Sequence, residues 1–243
     1  MGIKWAQCGV ATCPAFVLNI FATHSDIAVA TTTTTTASTA TTVHTRFGYL
    51  FRADNGYDRP RASAVTNFTV VPADFGTAVP VGASYRVQTY WHVLDPPAAT
   101  DAADLTAPDE NATVLCDSAH PFAVPPTPNF PREASYSILA PVLANGWTYL
   151  GEPGKIVAAS SRRVRSIMVA TATVEVGLVG SPGERITVVL SSPSAVLHGV
   201  SCAVPGAAVW PPPDVDRDGS VFVLCSSCAC SCKPGSSSTR SLQ

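Results

Sequence analysis

Along much of this chain apolar and polar residues alternate with a period of two, the spacing of strands rather than helices. From Ser84 to Leu94, SYRVQTYWHVL sets Tyr85, Val87, Thr89, Trp91 and Val93 on one face and Arg86, Gln88, Tyr90 and His92 on the other. That is the pattern of a half-buried strand. From Ser166 to Gly180, SIMVATATVEVGLVG reads as one strand whose even-numbered face, Met168, Ala170, Ala172, Val174, Val176 and Leu178, is apolar. Ser181-Pro182-Gly183 then predicts a turn, and Arg185–Leu190 an antiparallel hairpin partner. Tyr85, Val87, Trp91 and Val93 are expected to share one core with the Met168–Leu178 face, because apolar faces must meet another layer. Further strands are expected over 43–51, 64–71, 111–116, 135–142, 147–151, 155–160, 195–203 and 220–225.

Helical 3,4 periodicity is almost absent, and 21 Pro recur too often for long helices. Many short strands with regular turns predict an all-β chain, specifically a two-layer antiparallel β-sandwich of jelly-roll kind with an extended N-terminal arm. Four zones organise it. Residues 1–30 are an apolar lead-in and 31–45 the Thr/Ala tract TTTTTTASTATTVHT, together the arm of residues 1–45. The β-sandwich domain spans 46–224 and a Cys/Ser-rich tail 225–243, while the Pro- and acid-rich stretch 95–134 reads as long surface loops. The six successive Thr disfavour a helix, so the tract is extended, either as a linker or as an arm that adds to a neighbour's sheet edge.

The 243 residues carry only 13% charged side chains, 46% hydrophobic ones and a net charge of −2. A disordered chain of high charge is excluded. No basic field is present to hold nucleic acid directly. The run Ala6–Ala22, broken by Pro14 and Asn19, falls short of the roughly 20 clean apolar residues of a membrane span. Lys4, this run and Ala28-Val29-Ala30 outline a secretory signal, but the diluted apolar region and Asp26 argue for its retention.

The densest chemistry is the tail, Cys225-Ser-Ser-Cys228-Ala-Cys230-Ser-Cys232. Four thiolates in eight residues suit zinc or copper(I), yet no second Cys or His pair completes a structural zinc site. Free thiols and disulfides are the alternatives, with Cys202 and Cys225 as a pair on adjacent expected strands. Asp214, Asp216, Asp218 and Gly219 match the start of a calcium loop, but its twelfth position is Cys225. Neither is expected to be an obligatory metal site, and no cofactor is expected. Trp147 and Trp210 at loop edges are candidate sugar-stacking platforms. Asn67-Phe68-Thr69 and Asn111-Ala112-Thr113 are glycosylation sequons; about one is expected by chance from six Asn, and two are not evidence for secretion. Cys116 and His120 share a loop, Asp95 and Glu110 are an unremarkable acid pair, and Gly151–Lys155 lacks the spacing of a phosphate loop. With no catalytic constellation legible, the expectation is a non-enzymatic structural subunit, as in a viral capsid or capsid-decorating protein, contacting other subunits in a virion or similar assembly. The alternative is a secreted carbohydrate-binding or adhesion module.

Overall fold

The computed structural model describes residues 17–32, 40–55, 68–75, 83–93, 113–125, 133–153, 155, 157–205, 220–226 and 229–234. The strands are β1 Val17–Thr32, β2 Ala40–Asn55, β3 Phe68–Val70, β4 Tyr85–Val93, β5 Thr113–Cys116, β6 Phe122–Val124 and β7 Glu133–Pro141. They continue with β8 Thr148–Gly151, β9 Val164–Val169, β10 Val174–Val179, β11 Arg185–Ser191, β12 Leu197–Ala203, β13 Ser220–Ser226 and β14 Ala229–Pro234. The only helical element among the described residues is a 3-10 turn, Pro72–Phe75. No helix among them is long and apolar enough to cross a membrane. Among the described residues the fold is nearly all β, as the period-two pattern predicts.

Nine strands form one sheet in the order β14-β13-β10-β9-β1-β2-β7-β4-β5, three form a second, β12-β11-β8, and β3 pairs with β6. The large sheet is mixed rather than purely antiparallel, because Val29, Ala30 and Thr31 of β1 run parallel to Ile167, Met168 and Val169 of β9. Of the expected N-terminal arm, residues 17–32 and 40–45 are strand within the sheet, while 1–16 and 33–39, with most of the Thr run, lie outside the described residues. β1 and β2 are two 16-residue strands paired from Val17↔Asn55 to Thr32↔Ala40, in the middle of the sheet. β-Branched Thr favours this extended pairing within the chain. The expected boundaries after residues 45 and 224 fall inside β2 and β13, and Ala28-Val29-Ala30 lies inside β1.

Alternation sorts side chains between two cores. Phe47 and Tyr49 of β2 and Tyr136, Ile138 and Ala140 of β7 join Ile186, Val188 and Leu190 of β11 and Val200 of β12 in the larger core. Leu50 and Leu139, of opposite parity, join Tyr85, Val87, Phe122, Val124 and Phe75 in a smaller one. Gly48 makes room there, since a Cβ at this position would lie 2.7 Å from the Phe75 ring. Arg46 pins the same turn. Its Nη1 donates to the Phe75 carbonyl at 2.9 Å, while Nε and Nη2 grip the Asp26 carboxylate at 2.8 and 3.0 Å.

Tyr85 and Val87 are buried as expected, but in the smaller core; the Trp91 and Val93 side chains lie outside the described residues. The stretch 166–180 is two strands. Ala170 N–H donates to the Thr173 carbonyl at 2.9 Å, closing a turn that sets Val169 opposite Val174. Paired residues share a face, so the buried parity switches from odd (Ile167, Val169) to even (Val174, Val176, Leu178), and Met168 is left 44% exposed. Asn145 Nδ2 clasps this turn, donating to the Ala170 and Thr173 carbonyls at 3.0 and 2.9 Å. Nor do 174–179 and 185–190 make a hairpin. β10 pairs with β9 and β13, β11 with β12 and β8, and Ser181–Glu184 carries the chain from one sheet to the other. Turn residues alone do not distinguish the two outcomes. Where a strand was expected over 155–160, residues 157–159 form a bend and a turn, and Ile156 lies outside the described residues.

Candidate functional site

Among the described residues two edges bound the nine-stranded sheet, and they are built differently. At one, β14 pairs with β13 so that Cys230 lies opposite Cys225 and Cys232 opposite Val223. Cys225 and Cys230 form a disulfide across the pair, with Cα atoms 4.1 Å apart. Cys232, two residues on and on the same face of β14 as Cys230, is itself exposed and reaches Cys202 on β12 in a second disulfide with Cα atoms 5.7 Å apart. The bridge therefore ties an edge of the large sheet to an edge of the small one. This corrects the Cys202–Cys225 pairing, which adjacency of strands in sequence suggested. As zinc candidates, Cys225, Cys230 and Cys232 are in disulfides and offer no thiolate in this state. Cys228, Asp214, Asp216 and Asp218 lie outside the described residues. Among the described residues no group of three His, Cys, Asp or Glu is placed to hold a metal ion.

At the other edge, β5 has β4 as its only partner among the described residues. Its sequence is Thr-Val-Leu-Cys, and Val114 and Leu115 are 47% and 46% exposed. Cys116 turns inward, its thiol donating to the Val70 carbonyl at 3.6 Å, and burial pushes its pKa up. His120 points to solvent, with Nδ1 3.0 Å from Asp117 Oδ1. Asp117 Oδ1 also accepts the backbone N–H groups of Ala119 and His120 at 2.8 Å, and these bonds, that of His120 first, lower its pKa. Cys116, at the end of β5, and His120, in the bend that follows, are thus separated into core and solvent, and no dyad forms.

A third feature is a cleft of about 380 Å³ lined by Glu152, Lys155, Val157, Ser160, Arg162 and Arg163. Gly151, at φ +91°, turns the chain into it from β8, and its missing side chain lets the Ala158 carbonyl accept the Glu152 N–H at 3.0 Å. Arg163 is the centre. Nε donates to Glu152 Oε1 at 2.8 Å, Nη1 to the Val179 carbonyl at 2.7 Å and to Glu184 Oε2 at 3.0 Å, and Nη2 to Glu184 Oε1. Arg163, with the Ser181 N–H at 2.8 Å, holds the Glu184 carboxyl down to about 2. The guanidinium joins three chain segments at the base of the cleft, with its donors directed at protein rather than at a ligand. Beside the larger core, the Tyr49 hydroxyl is pushed up to about 12 by burial. It donates to the Ala159 carbonyl at 3.1 Å, accepts the Ala159 N–H at 3.0 Å, and lies 2.8 Å from Ser25 Oγ.

Trp147 is 2% exposed, packed in the larger core with His198 at 5.4 Å between ring centroids. It is no sugar platform. The turn after Asn145-Gly146 points the indole inward, because Leu143 N–H donates to the Trp147 carbonyl and Gly146 N–H to the Leu143 carbonyl, both at 2.8 Å. Trp210, Asn67, Asn111, Asp95 and Glu110 lie outside the described residues. Sequence reasoning missed Arg163 and its acids, although three such residues are conspicuous in a chain only 13% charged. No family, no curated protein and no solved structure matches the chain.

Proposed function

We propose that this chain is a non-enzymatic structural subunit of a larger assembly, such as a viral capsid or capsid-surface decorating subunit, acting through contacts with other protein subunits. Its two larger sheets are the layers of a sandwich of jelly-roll kind. Support for that arrangement is the larger core, which takes inward residues from both sheets.

The observation that carries the proposal is the contrast between the edges. Unpaired strand edges are templates for another chain, and proteins blunt them with Lys, Pro, bulges or cover. β14 carries Lys233, Pro234 and the two disulfides. β5 carries no charge and no Pro, and presents Val114 and Leu115 to solvent. A strand from a second subunit placed beside β5 gains backbone hydrogen bonds and covers both side chains.

Replacing Val114 and Leu115 by Lys tests this. Light scattering is expected to show native mass falling toward that of one chain, with the β-type circular dichroism retained. A monomeric wild type, or a double variant of unchanged oligomer mass, overturns the proposal. The secreted adhesion module keeps one supporting observation, the pair of disulfides, since such bonds persist in oxidising compartments.

A further inference from the structure

We infer that Cys232 is a site of thiol–disulfide exchange with a dithiol reductant, and that its reaction unfastens the end of β14 from the body of the protein. The inference is independent of the assembly reading. It rests on how exposed the four bridged cysteines are. Cys202 is 1% exposed and Cys225 0%, Cys230 is half-buried, and Cys232 is exposed. An attacking thiolate needs access to one sulfur of the bond it breaks. Of the two disulfides among the described residues, only Cys202–Cys232 offers an exposed residue.

The chemistry is a two-electron exchange. One thiolate of the dithiol attacks Cys232 Sγ, the bond to Cys202 breaks, and Cys202 leaves as a thiolate that takes a proton. The second thiol of the reductant then attacks its own sulfur in the mixed disulfide. Cys232 is released and protonated, and the reductant is oxidised to its disulfide.

The topology gives this step a mechanical result. Cys225–Cys230 fastens β14 to β13 beside the Ser226–Ala229 pair, while Cys202–Cys232 is a covalent tie to the other sheet. With that tie cut, no covalent bond from Ser231–Pro234 to the other sheet remains among the described residues; pairing with Val221–Leu224, to which Pro234 brings no N–H, and packing beside β12 are left. Opening of this end bares the edge of β13, where Val221 and Val223 are 1% and 0% exposed. A guarded edge becomes an accepting one.

The experiment uses the full chain under native conditions with stepwise dithiothreitol, alkylation quench and peptide mapping, alongside hydrogen exchange of the same samples. Cys202 and Cys232 are expected to be alkylated at least about tenfold faster than Cys225 and Cys230, as access to sulfur dictates. Exchange over 220–224 and 231–234 should rise in step. Cys232→Ser is expected to show that faster exchange without reductant and to gain no more on its addition. Prior or equal opening of Cys225–Cys230 overturns the inference, as does opening of Cys202–Cys232 with unchanged exchange. If the variant does not fold, the wild-type titration decides alone. Both readouts are indifferent to oligomer mass, so a failure here and a failure of the β5 proposal are separate results.

Discussion

Replacing Arg163 by Ala removes the group that joins Glu152, the end of β10 and Glu184. The side chains of Arg163, Glu152 and Glu184 are 18%, 10% and 31% exposed, so the cluster sits between two regimes. A fully exposed ion pair contributes about 0–1 kcal/mol, whereas breaking a buried one costs about 3–5 kcal/mol because a charge is left unpaired. Glu152 is the group stranded most deeply, which puts the expected loss at about 3 kcal/mol. For a chain of this size that is a Tm lower by roughly 6–12 °C. Urea unfolding with linear extrapolation at neutral pH measures it directly. The acid limb supplies a second reading. Glu184 titrates at about 2 in the folded chain against an ordinary 4.5, so its contribution is complete above about 4.5 and is lost as pH falls toward 2. In the variant this loss should be smaller, because the guanidinium that lowers the carboxyl is gone. A destabilisation under about 1 kcal/mol with an unchanged acid limb would place the cluster among surface pairs and refute the reasoning.

Trp147→Ala should cost about 3–5 kcal/mol by emptying a core site, seen as a lower urea midpoint, while leaving any glycan binding unaltered on an array. Gly48→Ala drives a Cβ into the Phe75 ring and should cost about 1–3 kcal/mol, recovered in part by Phe75→Leu; thermal melts of the two variants and their combination check it. Asn145→Asp replaces an amide donor by a carboxylate facing two carbonyls, and a loss of about 1–3 kcal/mol is expected in denaturant titration. Cys202→Ser opens a disulfide between residues 30 apart, for which chain entropy gives a loss of about 3–4 kcal/mol, measurable as the difference in urea midpoint.

Local alternation made the strands legible where one face is buried, as for Tyr85 and Val87 or Val174, Val176 and Leu178. It failed where both faces meet protein or both sides of a turn are apolar. β1 was hidden because its sequence, VLNIFATHSDIAVATT, mixes apolar and polar residues with no sustained period. The break at Ala170–Thr173 was hidden because Ala and Thr suit strand and turn alike, and the register there depends on Asn145, some 25 residues away. Disulfide partners are a property of three-dimensional proximity: Cys232 meets Cys202 only once β12 and β14 occupy facing edges. Trp147 shows the converse error, a turn sequence read as exposure when its backbone hydrogen bonds direct the ring inward.

The parallel pairing of β1 with β9 also governs how the chain is made. β1 and β2 are adjacent in sequence and can zip together soon after synthesis, but the other flank of β1 waits for Ile167–Val169, about 140 residues later. At roughly 5–20 residues per second of translation, that flank stays unsealed for about 7–30 seconds on the ribosome. Over those seconds the nascent hairpin presents Val29-Ala30-Thr31 to any passing strand. Closure of such a distant pair is slow for entropic reasons even once the chain is complete. Yield of this protein should therefore depend on expression rate and temperature more steeply than its final stability implies.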